Sequence, residues 1–520
     1  MLNTLDYLPF SKTIHQKKLK NIILNIVGLL MVFNVFSQQY IYGDIQSRYK
    51  MEKYICIEGE NHHSLSKPYQ IKKNQSKIYQ KGIWDYSAIK DSSKFTFLPF
   101  LSLQESSSIS YSNPRINYAT GIQLNHLSSK FFYQIRLGFQ EGFVNNDRFS
   151  NKRPYVRSIG YVDDTNSMSY SKPIFQGIIS YKLNKYILLS AGNEKNIFGD
   201  GYRSLWLSDF APVYPFLKLE STFWKVKYVN LWSLHQDQYS KGFSNLKWAS
   251  SHLLSYNVTK WMNLSLFESV VWQDKDTLVN RGPDINYFNP FVFFRPVEYA
   301  IGSADNSLLG AGLKVIIDKQ FLIYSSFILD EFLLNELRNR NGWWGNKYGI
   351  QIGLKTFDLF KLDGLYSIME FNSVRPFTYS HMSSKQNYGH KNHSLAHPLE
   401  SNFKEFLLLA GFQRNNIDFS VQYHYQQYGI DSSGINFGSN MFESYNTKIT
   451  DYNHQIGQGN LVKQNLVIVQ LSYLVAALTN TKIFIRYNYL DSKPFNGIIN
   501  NSKVFNIGIS SQLWQDQQDY

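Results

Sequence analysis

Ile417 to Tyr425 reads IDFSVQYHY, and this stretch sets the fold class. Ile417, Phe419, Val421, Tyr423 and Tyr425 alternate with Asp418, Ser420, Gln422 and His424. A period of two places the apolar side chains on one face of a strand and the polar ones on the other. The pattern recurs along the chain. Tyr133, Ile135, Leu137 and Phe139 alternate with Gln134, Arg136, Gly138 and Gln140. Ile350, Ile352 and Leu354 alternate with Gln351, Gly353 and Lys355. Ile483, Ile485, Tyr487 and Tyr489 alternate with Lys482, Arg486 and Asn488, and Phe484 breaks the rule. Phe505, Ile507, Ile509 and Leu513 continue it almost to the C-terminus. The segments run to about ten residues, the length of a tilted membrane strand. In such a barrel the apolar face meets lipid and the polar face lines the bore. A soluble β-sandwich also alternates, but the segment length favours the membrane barrel.

Composition agrees with strands. Of 520 residues, 16% are aromatic and only 12 are alanine, the best helix former. Such aromatic content excludes intrinsic disorder. The single cysteine, Cys56, excludes a disulfide scaffold and a Cys-ligated zinc site. Formal net charge is +14, which suggests a polyanionic neighbour.

The N-terminus carries an export signal. Lys17, Lys18 and Lys20 precede the apolar run Ile22 to Phe36, which is short for a bilayer span. Cleavage is expected before Gln38, making 1–37 the signal peptide. That removes four lysines and one aspartate and leaves +11. Export argues against nucleic acid as a partner. It favours outer-membrane lipid, lipopolysaccharide and surface polysaccharide. Residues 38–93 are polar, Lys-rich and weakly periodic, which predicts a periplasmic extension with short helices. The barrel is expected over 94–520, with about 18 strands at about ten residues each plus turns and loops. Asp330 to Asn341 (DEFLLNELRNRN) predicts a short helix capped by Asp330 and stopped by Gly342.

Candidate chemistry is sparse. His381, His390, His393 and His397 fall within 17 residues. Imidazoles can ligate metal, yet no HExxH motif accompanies them, so no metal and no cofactor are expected. Ser394 adjoins His393, but neighbours on a strand point to opposite faces and no GxSxG surrounds them. Gly199 to Ser204 (GDGYRS) lacks the spacing of a phosphate loop and reads as a turn aiming Arg203 at a carboxylate or ligand. Asp330 and Glu331 read as ion-pair partners rather than catalytic groups. Trp343 and Trp344, beside Arg338, Arg340 and Lys347, suit stacking on sugar rings and pairing with acidic glycan groups. Glycan-binding candidates are thus Arg203, Arg338, Arg340, Trp343, Trp344, Arg375 and the four histidines of 381–397. No catalytic residue is expected.

Several segments together resemble the Wzi capsule-assembly family. They are Asn193–Leu205 (NEKNIFGDGYRSL) with Leu207 and Ser208, Phe216–Glu220, Asn289-Pro290 with Arg295–Glu298, and Gly302–Asn306. Leu329–Phe332, Gly342–Lys347 (GWWGNK), Val374–His381 (VRPFTYSH) and Leu395–Leu399 (LAHPL) look like the branch of RemB-like gliding motility proteins of Bacteroidota. Glu400 departs from the family, which has glycine there. The resemblance implies an 18-stranded outer-membrane barrel with a periplasmic helical part. It implies a non-enzymatic role in holding capsular polysaccharide or in gliding, with other motility or capsule-export proteins as partners. A transport pore and an outer-membrane hydrolase are the alternatives.

Overall fold

The computed structural model describes residues 45–58, 62–69, 94–108, 114–128, 130–143, 155–156, 160–161, 169–237, 245–275, 281–290, 305–432, 434–476, 479–494 and 500–511. The expected signal peptide, its cleavage point and the C-terminal tail lie outside them.

Eighteen antiparallel strands close into one barrel. They are β1 Lys94–Ser108, β2 Arg115–Leu127, β3 Phe131–Phe143, β4 Ser169–Lys182, β5 Ile187–Glu194, β6 Tyr214–Phe223, β7 Val226–Gln236, β8 Leu246–Asn257 and β9 Met262–Gln273. The second half runs β10 Asn306–Ile317, β11 Phe321–Leu329, β12 Tyr348–Phe357, β13 Leu365–Val374, β14 Phe403–Arg414, β15 Ile417–Ile430, β16 Asn460–Ala476, β17 Thr481–Pro494 and β18 Asn500–Ser511. Each strand pairs with its sequence neighbours, and β18 closes on β1 with Asn506 opposite Ser106. The first barrel strand begins at Lys94 and the strand number is 18, as the sequence reading expected.

The alternation behaves as read. In β14, Phe403, Glu405, Leu407 and Leu409 are buried inward, while Lys404, Leu408 and Ala410 are exposed outward. Phe419, Ile352, Ile485 and Phe505 likewise face outward. Phe484, the exception, faces inward. It sits opposite Gly508, where a Cβ would lie 2.9 Å from its ring. An apolar outer wall on a closed sheet is the signature of a membrane barrel. The protein is an outer-membrane β-barrel. One end carries only short connections, such as 224–225 and 318–320. The other carries 195–213, 274–305, 330–347, 375–402 and 431–459. Short turns face the periplasm and long loops the outside.

One stretch of outer wall is covered by protein. Trp232, Trp248 and Trp272 face outward on β7, β8 and β9. Segment 281–290 folds down over them. Phe288 stacks on Trp232 at 5.6 Å between ring centroids, and Tyr287 meets Trp272 at 4.9 Å. The Trp232 indole N–H and the Ser250 hydroxyl both donate to the Tyr287 carbonyl. Below these aromatics, outward His252 and Glu268 are buried, which accommodates polar groups on a wall that otherwise meets lipid.

The segment expected to extend into the periplasm instead turns into the bore over its described parts. Helix α1, Ile45–Glu52, lies at the short-turn end. There Tyr49 packs on Phe357 and Tyr366, and Lys53 pairs with Asp358. Ser66 and Lys67 then pair in antiparallel fashion with Phe198 and Ile197 of the inserted loop 195–213. The segment's buried charges are compensated there: Glu52 and Lys67 pair with each other, and Lys355 of the wall pairs with Glu52.

Candidate functional site

The bore is filled from both ends. Loop 195–213 descends from the outer end, and Gly199 to Ser204 reaches the inward faces of β10 to β15. A Cβ on Gly201 would lie 2.6 Å from the Glu370 carboxylate, so glycine is required for that close approach. Glu370 accepts the backbone N–H groups of Tyr202 (2.7 Å) and Arg203 (3.1 Å) and the Tyr324 hydroxyl (2.5 Å). The Arg203 guanidinium meets Glu405 at 3.4 Å through Nε and Nη2. Glu405 also accepts from Gln426 (2.8 Å) and Asn372 (3.2 Å), and His397 Nε2 lies 2.7 Å from it. Arg203 is 2% exposed and Glu405 fully buried. An ion pair buried this deeply is stable only when its remaining lone pairs and protons are satisfied, and here they are.

A second network joins the loop to the N-terminal segment. Asp200 accepts from Ser64 and Lys314. Lys314 also donates to the His62 carbonyl at 2.7 Å, and Lys67 donates to the Gly199 carbonyl at 2.6 Å. Glu52 pairs with Lys67 and Lys355. These contacts tie 45–58, 62–69, 195–213 and the wall into one unit.

Above the plug, three long loops form a cap. Lys347 pairs with Asp330 (3.1 Å) and Glu331 (3.0 Å) and donates to the Ser380 carbonyl (3.0 Å). Burial pushes the Asp330 carboxyl up, to about 7, against the pull of Lys347. Asp330 therefore does not cap the helix. The helix, α2, is Leu334–Asn339, with Leu333 at its N-cap. Lys347 competes for Asp330 and wins because the pair is buried.

The cap presents aromatic rings. Trp344 lies 4.7 Å from Tyr445 and 5.8 Å from Trp343 between centroids. Lys448 sits 4.3 Å over the Trp344 ring, and Lys347 4.7 Å over Tyr445. Trp343, Trp344, Tyr445 and Lys448 are half-buried and reach the surface. Arg375 braces this group from below, donating to the carbonyls of Asn346 (2.7 Å) and Trp343 (3.1 Å). Flat, partly exposed rings beside an ammonium suit a sugar ring and its hydroxyl or carboxylate groups.

Of the ten glycan-binding candidates, Arg338, Arg340, Trp343 and Trp344 reach the surface. Arg203 and the four histidines are corrected by burial, whereas Arg375 is half-buried with its guanidinium turned to backbone carbonyls. Arg203 serves Glu405 in the bore, and Arg375 is a brace. His381, His390, His393 and His397 are buried. His390 accepts the Gln236 backbone N–H, and Ser394 accepts that of Ala396. Burial holds His381 down, to about 4, and pushes His390 well below the usual imidazole range. Among the described residues no group of three His, Cys, Asp or Glu is placed to hold a metal ion. Sequence reasoning missed Glu370, Glu405, Tyr445 and Lys448. A signal existed for the first two: each is a lone carboxylate at an inward position of an apolar strand.

No protein-family model matches the chain, and no curated protein does. The fold is similar to that of Wzi from Escherichia coli, an outer-membrane protein involved in group 1 capsule assembly and a carbohydrate-binding β-barrel. The match has 12% identity, a TM-score of 0.56, and covers 90% of this chain and 98% of that one. OprD from Pseudomonas aeruginosa aligns at 11% identity and a TM-score of 0.42, over 83% of this chain and 96% of the other. OccAB2 from Acinetobacter baumannii aligns at 10% and 0.45, over 80% and 97%. At these levels the Wzi likeness establishes the architecture: a closed outer-membrane β-barrel of 18 strands.

Proposed function

We propose that this barrel binds surface polysaccharide through its outer cap and is not an enzyme. The observation that carries the reading is the half-exposed cluster Trp343, Trp344 and Tyr445, with Lys448 over one ring. A platform of that kind holds sugar by stacking and by charge. The carbohydrate-binding function of Wzi, the barrel it is similar to, supports the same reading. Capsular polysaccharide is the proposed ligand. A link to gliding rests on the resemblance of segments 329–399 to the gliding branch. Segments 45–58, 62–69 and 195–213 in the bore favour this reading over a transport pore.

The test uses cells lacking the gene. Cell-bound and released polysaccharide are compared, and colony spreading is scored on the same cultures. Shedding into the medium is the expected result. Unchanged polysaccharide with unchanged spreading would overturn the proposal. Lost spreading alone would keep the gliding role and remove the capsule role.

A further inference from the structure

The two ends of the barrel differ in charge. In the cap, loop 330–347 carries three acidic and three basic residues. Four neighbouring short turns do not balance in this way, whereas the next, 358–364, carries Asp358 and Asp363 against Lys361. The turns after β4, β6, β8 and β10 are neighbours around the rim, and they expose Lys182, Lys185, Lys225, Lys260 and Lys319 against one carboxylate, Asp318. Backbone hydrogen bonds make them one continuous band. Thr222 donates to the Tyr186 carbonyl, Asn257 to that of Lys225, and Ile316 to that of Trp261.

Large apolar rings are interleaved with these cations. Phe223 is 65% exposed, Trp224 72% and Trp261 52%. Phe223 continues the outward row of Leu217, so the rings extend the lipid-facing wall rather than standing apart from it. Lys225 lies 5.4 Å over Trp224, and Lys185 4.7 Å over Tyr186. Tyr186 and Phe223 meet edge-on at 5.4 Å. Aromatic rings of this kind sit at the headgroup level of a bilayer. Ammonium groups at the same level face lipid phosphates.

We propose that this rim is a binding collar for anionic phospholipid of the inner leaflet. The rings lie among the upper acyl chains and glycerol groups, and the lysines pair with headgroup phosphates. The collar selects net-negative headgroups because a zwitterionic lipid brings its own ammonium to neutralise the phosphate. Continuity with the lipid wall distinguishes a lipid ligand from a soluble acidic partner.

The experiment uses the full-length protein in detergent with equal amounts of phosphatidylglycerol and phosphatidylcholine. Lipids retained on the folded barrel are counted by native mass spectrometry. Each lysine near an anionic surface is worth about fivefold in binding. Wild type should retain phosphatidylglycerol at least tenfold over phosphatidylcholine. The combined variant Lys185→Gln, Lys225→Gln, Lys260→Gln, Lys319→Gln should lose that preference, and the same positions changed to Arg should keep it. Arg338→Gln with Arg340→Gln, at the opposite end, should not alter it. Equal retention of both lipids by wild type would overturn the proposal, as would an unchanged preference in the Gln variant. Loss of soluble polyglutamate binding in that variant with lipid retention intact would assign the rim to an acidic macromolecule instead.

Discussion

The Tyr379 hydroxyl donates to the backbone carbonyl of Leu205 at 2.8 Å, joining the cap to the plug across 174 residues of sequence. Tyr379 is itself fixed from above, because its backbone N–H donates to Asp330 at 2.8 Å. Lys347 holds Asp330, and the ring platform grows from the same loop as Lys347. The surface cluster and the bore loop therefore share one connection.

Tyr379→Phe removes that tie and leaves the Leu205 carbonyl buried without a donor. The cost is about 1–3 kcal/mol. It should be local. Hydrogen exchange in 195–213 and 375–402 is expected to quicken, while the barrel strands stay protected. Uniform protection would show that the tie is dispensable.

Glu405→Ala leaves Arg203 buried and uncompensated, a loss of about 3–5 kcal/mol for a broken buried pair. The paired change Arg203→Met with Glu405→Leu should recover only part of it, because Gln426, Asn372 and His397 still lose their shared partner. Denaturant midpoints of the two variants decide the matter. If the single and double variants are equally destabilised, packing rather than charge dominates the site.

Replacing 198–209 by a Gly-Ser linker of equal length removes the Glu370 and Glu405 anchors. Planar bilayers with the wild type should show little conductance. The linker variant should conduct more than the wild type, and more again when 38–93 is also deleted, because an 18-strand barrel is wide enough for an aqueous channel once emptied. Large conductance in the wild type would move the pore reading ahead of the glycan reading.

Trp343→Ala with Trp344→Ala should leave folding intact, since both rings are already half-exposed. Polysaccharide retention should fall at least about fivefold, the effect of losing more than about 1 kcal/mol at an aromatic contact. Arg203→Gln should alter stability but not retention in the folded fraction.

Acid should loosen loop 375–402, because three buried histidines lose stability as pH falls against one carboxyl, Asp330, whose raised value adds it. His381 is held down to about 4 by burial, and burial likewise lowers His390 and His397. A histidine whose folded pKa lies below its unfolded one contributes stability above the unfolded value of about 6.5. That stability is lost as pH falls from about 6.5 through about 4. Protease cleavage within 375–402 should therefore rise over this window. His381→Gln should flatten the profile. A pH-independent cleavage rate would rule the histidines out as the cause.

The wall was legible because its rule is local. A period of two fixes which side chain faces lipid, so Ile417–Tyr425 and Ile350–Lys355 could be oriented from sequence alone. Even Phe484 follows once Gly508 is seen across from it. The interior was not legible. Arg203 lies in the bore because Glu370 and Glu405 draw it there, and they stand 167 and 202 residues away. No spacing within Gly199–Ser204 encodes that depth. Asp330 failed as a helix cap for the same reason: Lys347 and Tyr379 are long-range partners that outcompete a local one. The clustered histidines follow a different rule. Their proximity in sequence reflects a folded-in loop, and burial rather than ligation explains them.

The cross-links through the bore also set how the molecule carries a mechanical load. A hollow cylinder under an off-axis pull flattens into an ellipse, because nothing spans its diameter. Here Arg203 and Tyr202 reach β14 and β13, while Ser66, paired to the same loop, reaches β6, and Glu52, paired to Lys67, reaches β12. These are spokes. A tug on the outer loops passes through Tyr379 to Leu205 and spreads into several strands at once. The tube behaves as a braced strut, with its stiffness set largely by groups buried in its bore.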